Sequence, residues 1–182
     1  MKRLALLASL AALLATPALA ALQPGAAAPA FTAQAYLAGN PLTFKMAKAL
    51  KKGPVVLYFF PAAYTRGCNL EAHLFSQAAD DFKAQGATLI GVTAGGVARL
   101  AEFSKDTETC GGKFMVAADT DLAITRGYDV AYSPDRPISN RTSFVVAPDG
   151  KVISTYSKME ADDHVNQTLT ALKAWRARNP KR

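Results

Sequence analysis

Two rhythms of apolar residues run along this chain. Residues 55–60 (Val-Val-Leu-Tyr-Phe-Phe) are apolar without a break, as in a central strand covered on both faces. Residues 88–92 and 114–118 repeat that character, the latter ending at Asp119. Between them the spacing becomes helical. Leu70, Leu74, Phe75, Ala78 and Phe82 predict a helix over residues 67–83, closed by Gly86, and a second helix is predicted over residues 97–105. The order is βαβαβ.

Flanking segments are weaker. Residues 21–30 read as an extended lead-in, residues 31–36 as an edge strand, Gly39-Asn40-Pro41 as a turn and residues 44–50 as a short helix ended by Lys51-Lys52-Gly53-Pro54. Residues 121–127 suggest another short helix, and Pro134 and Pro137 make residues 128–140 a loop. Residues 142–147 and 151–156 flank Pro148-Asp149-Gly150 as an antiparallel hairpin. A last helix over residues 163–177 puts Val165, Leu169, Leu172 and Trp175 on one face. The fold class is α/β, with no internal repeat.

The N-terminus has a different logic. Lys2 and Arg3 precede the apolar residues 4–14, and Ala18 and Ala20 supply small side chains for cleavage after residue 20. Residues 1–20 are therefore expected to be a secretory signal peptide. Residues 21–182 form one domain, periplasmic or otherwise exported, with no stable membrane insertion after cleavage. Losing Lys2 and Arg3 takes two charges from the formal +7. The remaining basic residues are dispersed and lack interleaved aromatics, which argues against nucleic acid as a partner.

Candidate chemistry centres on Cys68. It follows the 55–60 strand and lies in the first turn of the predicted 67–83 helix, where unpaired backbone N–H groups favour a thiolate. Pro61 can wall such a pocket, Thr65 Oγ1 can hydrogen-bond the sulfur or a bound peroxide, and the Gly67 and Cys68 amides can point into it. Arg141, just ahead of a strand, is the candidate fixed cation.

Pro61-x-x-x-Thr65-x-x-Cys68 resembles the active-site signature of the peroxiredoxins. Asn140-Arg141-Thr142-Ser143-Phe144-Val145-Val146, followed by Pro148-Asp149-Gly150, is similar to that family's arginine strand and hairpin. Ala30-Phe31, Leu89-Ile90-Gly91-Val92 and Ala118-Asp119 resemble further landmarks, so the likeness spans roughly residues 24–175. Glu71 stands where many members of the peroxiredoxin Q (bacterioferritin comigratory protein) branch carry a glutamate.

The resemblance implies a thioredoxin-like fold, a central mixed sheet flanked by helices, and no cofactor or metal. It implies a peroxidatic Cys68, activated by Thr65 and Arg141, with Glu71 orienting an arginine. Hydrogen peroxide and organic hydroperoxides are the implied substrates, and an external thiol, thioredoxin-like or small, the reductant. The branch leans to monomers, with dimers also known in the family.

Resolution departs from the branch. Where many relatives place the resolving cysteine this chain has His73, and Cys110, beside Gly111-Gly112, is the internal alternative. Thr107-Glu108-Thr109 before it suggest exposure. A one-cysteine mechanism with external resolution stays open. His73 reads as an ordinary helical side chain, His164 beside Asp162-Asp163 as part of the last helix's polar cap, and Tyr64 and Arg66 are unassigned.

Two other functions fit less well. An exported thiol-disulfide oxidoreductase needs Cys-x-x-Cys, but Thr65 and Glu71 stand at the two flanking positions. A non-enzymatic envelope module would use Cys68 and Cys110 only as a static disulfide.

Overall fold

The computed structural model describes residues 21–180; the expected signal peptide, residues 1–20, lies outside the described residues. The chain runs through β1 (Thr32–Leu37), β2 (Asn40–Lys45), α1 (Met46–Leu50) and β3 (Val55–Phe59). It continues through α2 (Arg66–Gln77), α3 (Ala79–Ala84), β4 (Thr88–Thr93), a 3-10 turn (Val97–Arg99), α4 (Leu100–Lys105), β5 (Met115–Ala118) and α5 (Ala123–Gly127). β6 (Ala131–Ser133), β7 (Arg136–Ser139), β8 (Thr142–Val146), β9 (Val152–Ser157) and α6 (His164–Arg178) complete it. No helix among the described residues is long and apolar enough to cross a membrane.

Seven strands form one mixed sheet in the order β2-β1-β5-β4-β3-β8-β9, giving the expected thioredoxin-like α/β fold. β3, β4 and β5 are parallel, and the strands outside them pair antiparallel. Strand alternation splits the core in two. Val55, Leu57 and Phe59 pack with Phe144, Tyr128 and Met46 of α1 on one face. Val56, Tyr58 and Phe60 face α2, α3, α4 and α6 through Phe75, Phe82, Phe103 and Leu172 on the other.

Four expectations need correction. Residues 31–36 were expected to form an edge strand, but β1 is interior, because Ala35 and Tyr36 also pair with β5. β2 is the edge instead. Its Pro41 opposes Tyr36 on the outermost strand, where a missing N–H is tolerated, and the reversal uses Ala38 and Gly39, both at positive φ, in a two-residue hairpin turn. The predicted helix over residues 67–83 is two helices that break at Ala78, with Asp80 and Asp81 in the first turn of α3, where the dipole favours acids. Leu70 is consequently exposed rather than packed. The loop over residues 128–140 contains the β6–β7 ladder; Pro137 falls between its paired residues, so no ladder N–H is lost.

At the start of β9, Gly25 donates to Val152, Val152 to Ala26, and Ala28 to Gly150, at 2.8–2.9 Å. The lead-in is thus bound to the sheet margin. On the helix-bearing face Tyr58 stacks on Phe75 with centroids 4.4 Å apart. A Cβ added at Gly91 would lie 2.7 Å from the Tyr58 ring. Gly91→Ala is therefore expected to cost about 1–3 kcal/mol by overpacking, read as a lower denaturant midpoint at unchanged slope. An unchanged midpoint would show that the ring has room to move.

Candidate active site

β3 delivers the chain to a loop at residues 60–65, which turns sharply into α2. Tyr64 adopts φ 62°, unfavourable for a side chain with a Cβ. Its ring is held edge-on by Phe103 at 5.3 Å, the Arg99 guanidinium lies 3.8 Å from its centroid, and its hydroxyl donates to Asp106 at 3.4 Å. The loop is also pinned to the end of β4, where Ala63 N–H donates to the Gly95 carbonyl and Thr93 Oγ1 to that of Pro61.

Thr65 is the extended N-cap residue of α2, and Asn69 N–H donates to its carbonyl at 2.8 Å. The amides of Gly67 and Cys68 precede that bond and have no intrahelical acceptor. Cys68 is only 1% exposed. The Thr65 hydroxyl, expected on the sulfur or the peroxide, donates to the Ala62 carbonyl at 3.1 Å. Its oxygen keeps lone pairs for another donor.

Antiparallel pairing of β8 with β3 sets Thr142 opposite Phe59, which brings Arg141 level with the loop. Nη2 lies 3.5 Å from Cys68 Sγ, Nη1 donates to Glu71 Oε2, and Nε donates to the Met159 carbonyl at 2.8 Å. The cation is almost wholly buried and held at three points. A Cβ at Gly67 would sit 3.0 Å from Nη2, so this glycine makes room for the arginine as well as offering its amide.

Glu71 is fully buried one helical turn beyond Cys68, on the same side of α2. Burial raises its carboxyl to about 8, against the pull of Arg141. His164, expected in the polar cap of the last helix, stands at the first position of α6 and is fully buried there. Its Nδ1 is 2.7 Å from Ser143 Oγ and 3.6 Å from Glu71 Oε1, and its Nε2 is 3.0 Å from the Lys158 carbonyl. Burial, with Arg141 nearby, lowers it to about 4. The signal in the sequence was the buried line His164, Thr168, Leu172 at four-residue spacing.

Cys110 is also corrected, from exposed to fully buried. Its glycines serve a tight wrap rather than a mobile arm: Gly111 and Gly112, both at positive φ, donate to the Asp106 and Ser104 carbonyls. Burial pushes the Cys110 thiol up. Both cysteines are free thiols and share the same apolar cluster. Pro61 lies in the site loop, partly buried. His73 stands apart, paired with Gln77 at 3.0 Å, and the described residues contain no cluster fit for a metal.

Residues 24–155 match the model of the AhpC/TSA family. The chain is 30% identical over 125 residues to peroxiredoxin Bcp of Xanthomonas campestris pv. campestris, covering 66% of this chain and 76% of that protein. It is 30% identical over 137 residues to a putative peroxiredoxin of Mycobacterium tuberculosis, covering 73% and 86%. Its structure is similar to that of peroxidoxin BcpB from Mycobacterium tuberculosis, with TM-score 0.74 and 25% identity over 84% of this chain and 97% of that one. The fold alone is shared with a reduced 2-Cys peroxiredoxin of Plasmodium vivax, at TM-score 0.77 and 21% identity over 88% and 100%.

Proposed function

Since the chain belongs to the AhpC/TSA family and is a thiol-dependent peroxidase, we propose that Cys68 is its attacking sulfur. The observation that carries this reading is the Arg141 guanidinium on Cys68 Sγ at the start of α2. A cation and unpaired amides there favour the thiolate and the charge that develops on the peroxide. The sulfur lone pair attacks the outer peroxide oxygen, the S–O bond forms as the O–O bond breaks, and the leaving oxyanion takes a proton. Cys68 becomes a sulfenic acid. Thr65 accepts from the peroxide O–H while donating to Ala62, Pro61 screens the sulfur from water, and Glu71 aims Arg141.

Hydrogen peroxide and organic hydroperoxides are the proposed substrates, and an external thiol, thioredoxin-like or small, returns the enzyme to its starting state. We read residues 1–20 as a secretory signal, the working protein as an exported or periplasmic monomer, and its chemistry as free of cofactor and metal. Cys110 is the proposed resolving thiol: its sulfur attacks the sulfenic sulfur of Cys68, the S–S bond forms as the S–O bond breaks, and the hydroxyl leaves as water with the thiol's proton. Its burial means that the start of α2 and the 106–113 wrap must both open first. That same burial favours a second reading, in which an external thiol attacks the sulfenic acid directly.

One equivalent of hydrogen peroxide decides between them, read by intact mass and free-thiol count on wild type, Cys68→Ser and Cys110→Ser. Loss of two hydrogens and both thiols within one monomer supports resolution by Cys110. A Cys68 sulfenic acid or small-thiol adduct with Cys110 intact supports the one-cysteine route. An unreacted Cys68 would sink the assignment of the attacking sulfur.

A further inference from the structure

Around Arg141 the pocket holds one cation and two groups that compete for it. Cys68 Sγ and Glu71 Oε2 both take hydrogen bonds from the guanidinium, and all three side chains are buried. One positive charge neutralises one anion, and a second buried anion is strongly unfavourable. A Cys68 thiolate and a Glu71 carboxylate are therefore alternatives.

His164 bears on which of them forms. The Lys158 carbonyl facing Nε2 can only accept, so Nε2 carries the ring hydrogen and Nδ1 presents a lone pair. That lone pair accepts Ser143 Oγ–H at 2.7 Å, and the same electron-rich ring edge stands 3.6 Å from Glu71 Oε1, beyond hydrogen-bond distance; Oε1 has no hydrogen-bond partner among the described residues. Two lone pairs in that position repel. A hydrogen on Oε1 removes that repulsion, because a neutral carboxyl sets no charge against the electron-rich nitrogen.

We propose that His164 is a positioning residue that holds a proton on Glu71 Oε1 and so reserves the Arg141 charge for the Cys68 thiolate. The proposal rests on Cys68 being the attacking sulfur. Facing Glu71 are Cys68 on its own helix, Arg141 ahead of β8, Tyr58 from β3 and His164 from α6. Facing His164 are Ser143 of β8, Tyr156 of β9 edge-on at 4.8 Å, Asp163 and Arg141. The raised carboxyl and lowered imidazole agree with this arrangement.

The proton count then closes over the oxidation step. Sulfur gives two electrons to the peroxide and ends as a neutral sulfenic acid, leaving Arg141 without its anion. Glu71 releases one proton as the leaving oxyanion takes one up, and the new carboxylate pairs with Arg141.

Infrared spectra of the reduced wild-type protein at pH 7 test this without turnover. A carboxylic-acid carbonyl band, absent from Glu71→Gln and lost when wild type is oxidised by hydrogen peroxide, is the expected result. Its absence from reduced wild type overturns the proposal but leaves the assignment of Cys68 standing, since that is read from the thiol count.

Kinetics supply the second arm. The wild-type peroxide rate is expected to fall as pH rises through about 8, where Glu71 ionises and takes up the Arg141 charge, and Glu71→Gln should lack this alkaline limb. His164→Phe should move the limb about one pH unit down, slowing the reaction about twofold at pH 7 and approaching tenfold only above pH 8. His164→Asn, whose amide oxygen can replace Nδ1 as acceptor, should restore it. In the Glu71→Gln background His164→Phe should add nothing; equal damage in both backgrounds would make His164 merely structural.

Discussion

Cys68→Ser is expected to lower peroxide turnover by on the order of 10⁴-fold or more, the scale on which an enzyme loses its nucleophile. The side chain is buried in the first turn of α2, and serine fits the same space. The fold should therefore survive, and the loss should be chemical. A serine hydroxyl stays protonated near neutral pH and cannot supply the electron pair that breaks the O–O bond. The measurement is kcat/KM for hydrogen peroxide with a thiol reductant, beside far-UV circular dichroism and thermal unfolding. Retention of more than about a tenth of wild-type activity would move the attack to another sulfur, against the scale of loss expected for a true nucleophile. Cys110 is the other cysteine in the chain, and its buried, raised thiol makes it a poor substitute.

Arg141→Ala should cost about 10²–10³-fold in kcat/KM, comparable with removing a preorganised donor from a site where charge develops. Three groups lose their donor together: the Cys68 sulfur, the Glu71 carboxyl and the Met159 carbonyl. Leaving buried acceptors unsatisfied should also cost about 1–3 kcal/mol of stability. Arg141→Lys separates charge from geometry. An ammonium restores a positive charge but cannot reach three acceptors in different directions, so recovery should be partial in rate and in iodoacetamide labelling of Cys68. If alanine stays within about threefold of wild type, far short of an oxyanion-hole effect, the guanidinium is a structural prop.

What the sequence made legible was carried by local pattern. The apolar run 55–60 announces β3, and β3 places the loop that turns into α2, so Cys68 falls at a helix start from spacing alone. Arg141 could be found as the residue ahead of β8. The errors share one cause, since contacts made across the fold overrode the local neighbourhood. His164 follows two aspartates and looks solvated, yet α6 lays its first turn against β8 and buries the imidazole on Ser143. Cys110 has threonine and glycine neighbours, which suggest exposure until the wrap closes over it. Thr65 was given its position but not the Ala62 carbonyl, which the tight turn brings to its hydroxyl. β2 was concealed by Asn40-Pro41, a pair that punctuates most strands but suits the outermost one.

The lead-in bound along the start of β9 matters most when the protein is least closed. The proposed cycle through a Cys68 sulfenic acid and a Cys110 partner would open two segments, and an opened α/β protein invites another chain to add a strand to its sheet. Here that invitation is narrowed at both rims. The open backbone groups at the start of β9 are already taken by residues 25–28, and β2 on the far side presents Pro41, which has no N–H to offer. If the helix that carries Cys68 loosens as proposed, these two stretches of the rim stay closed to an added strand.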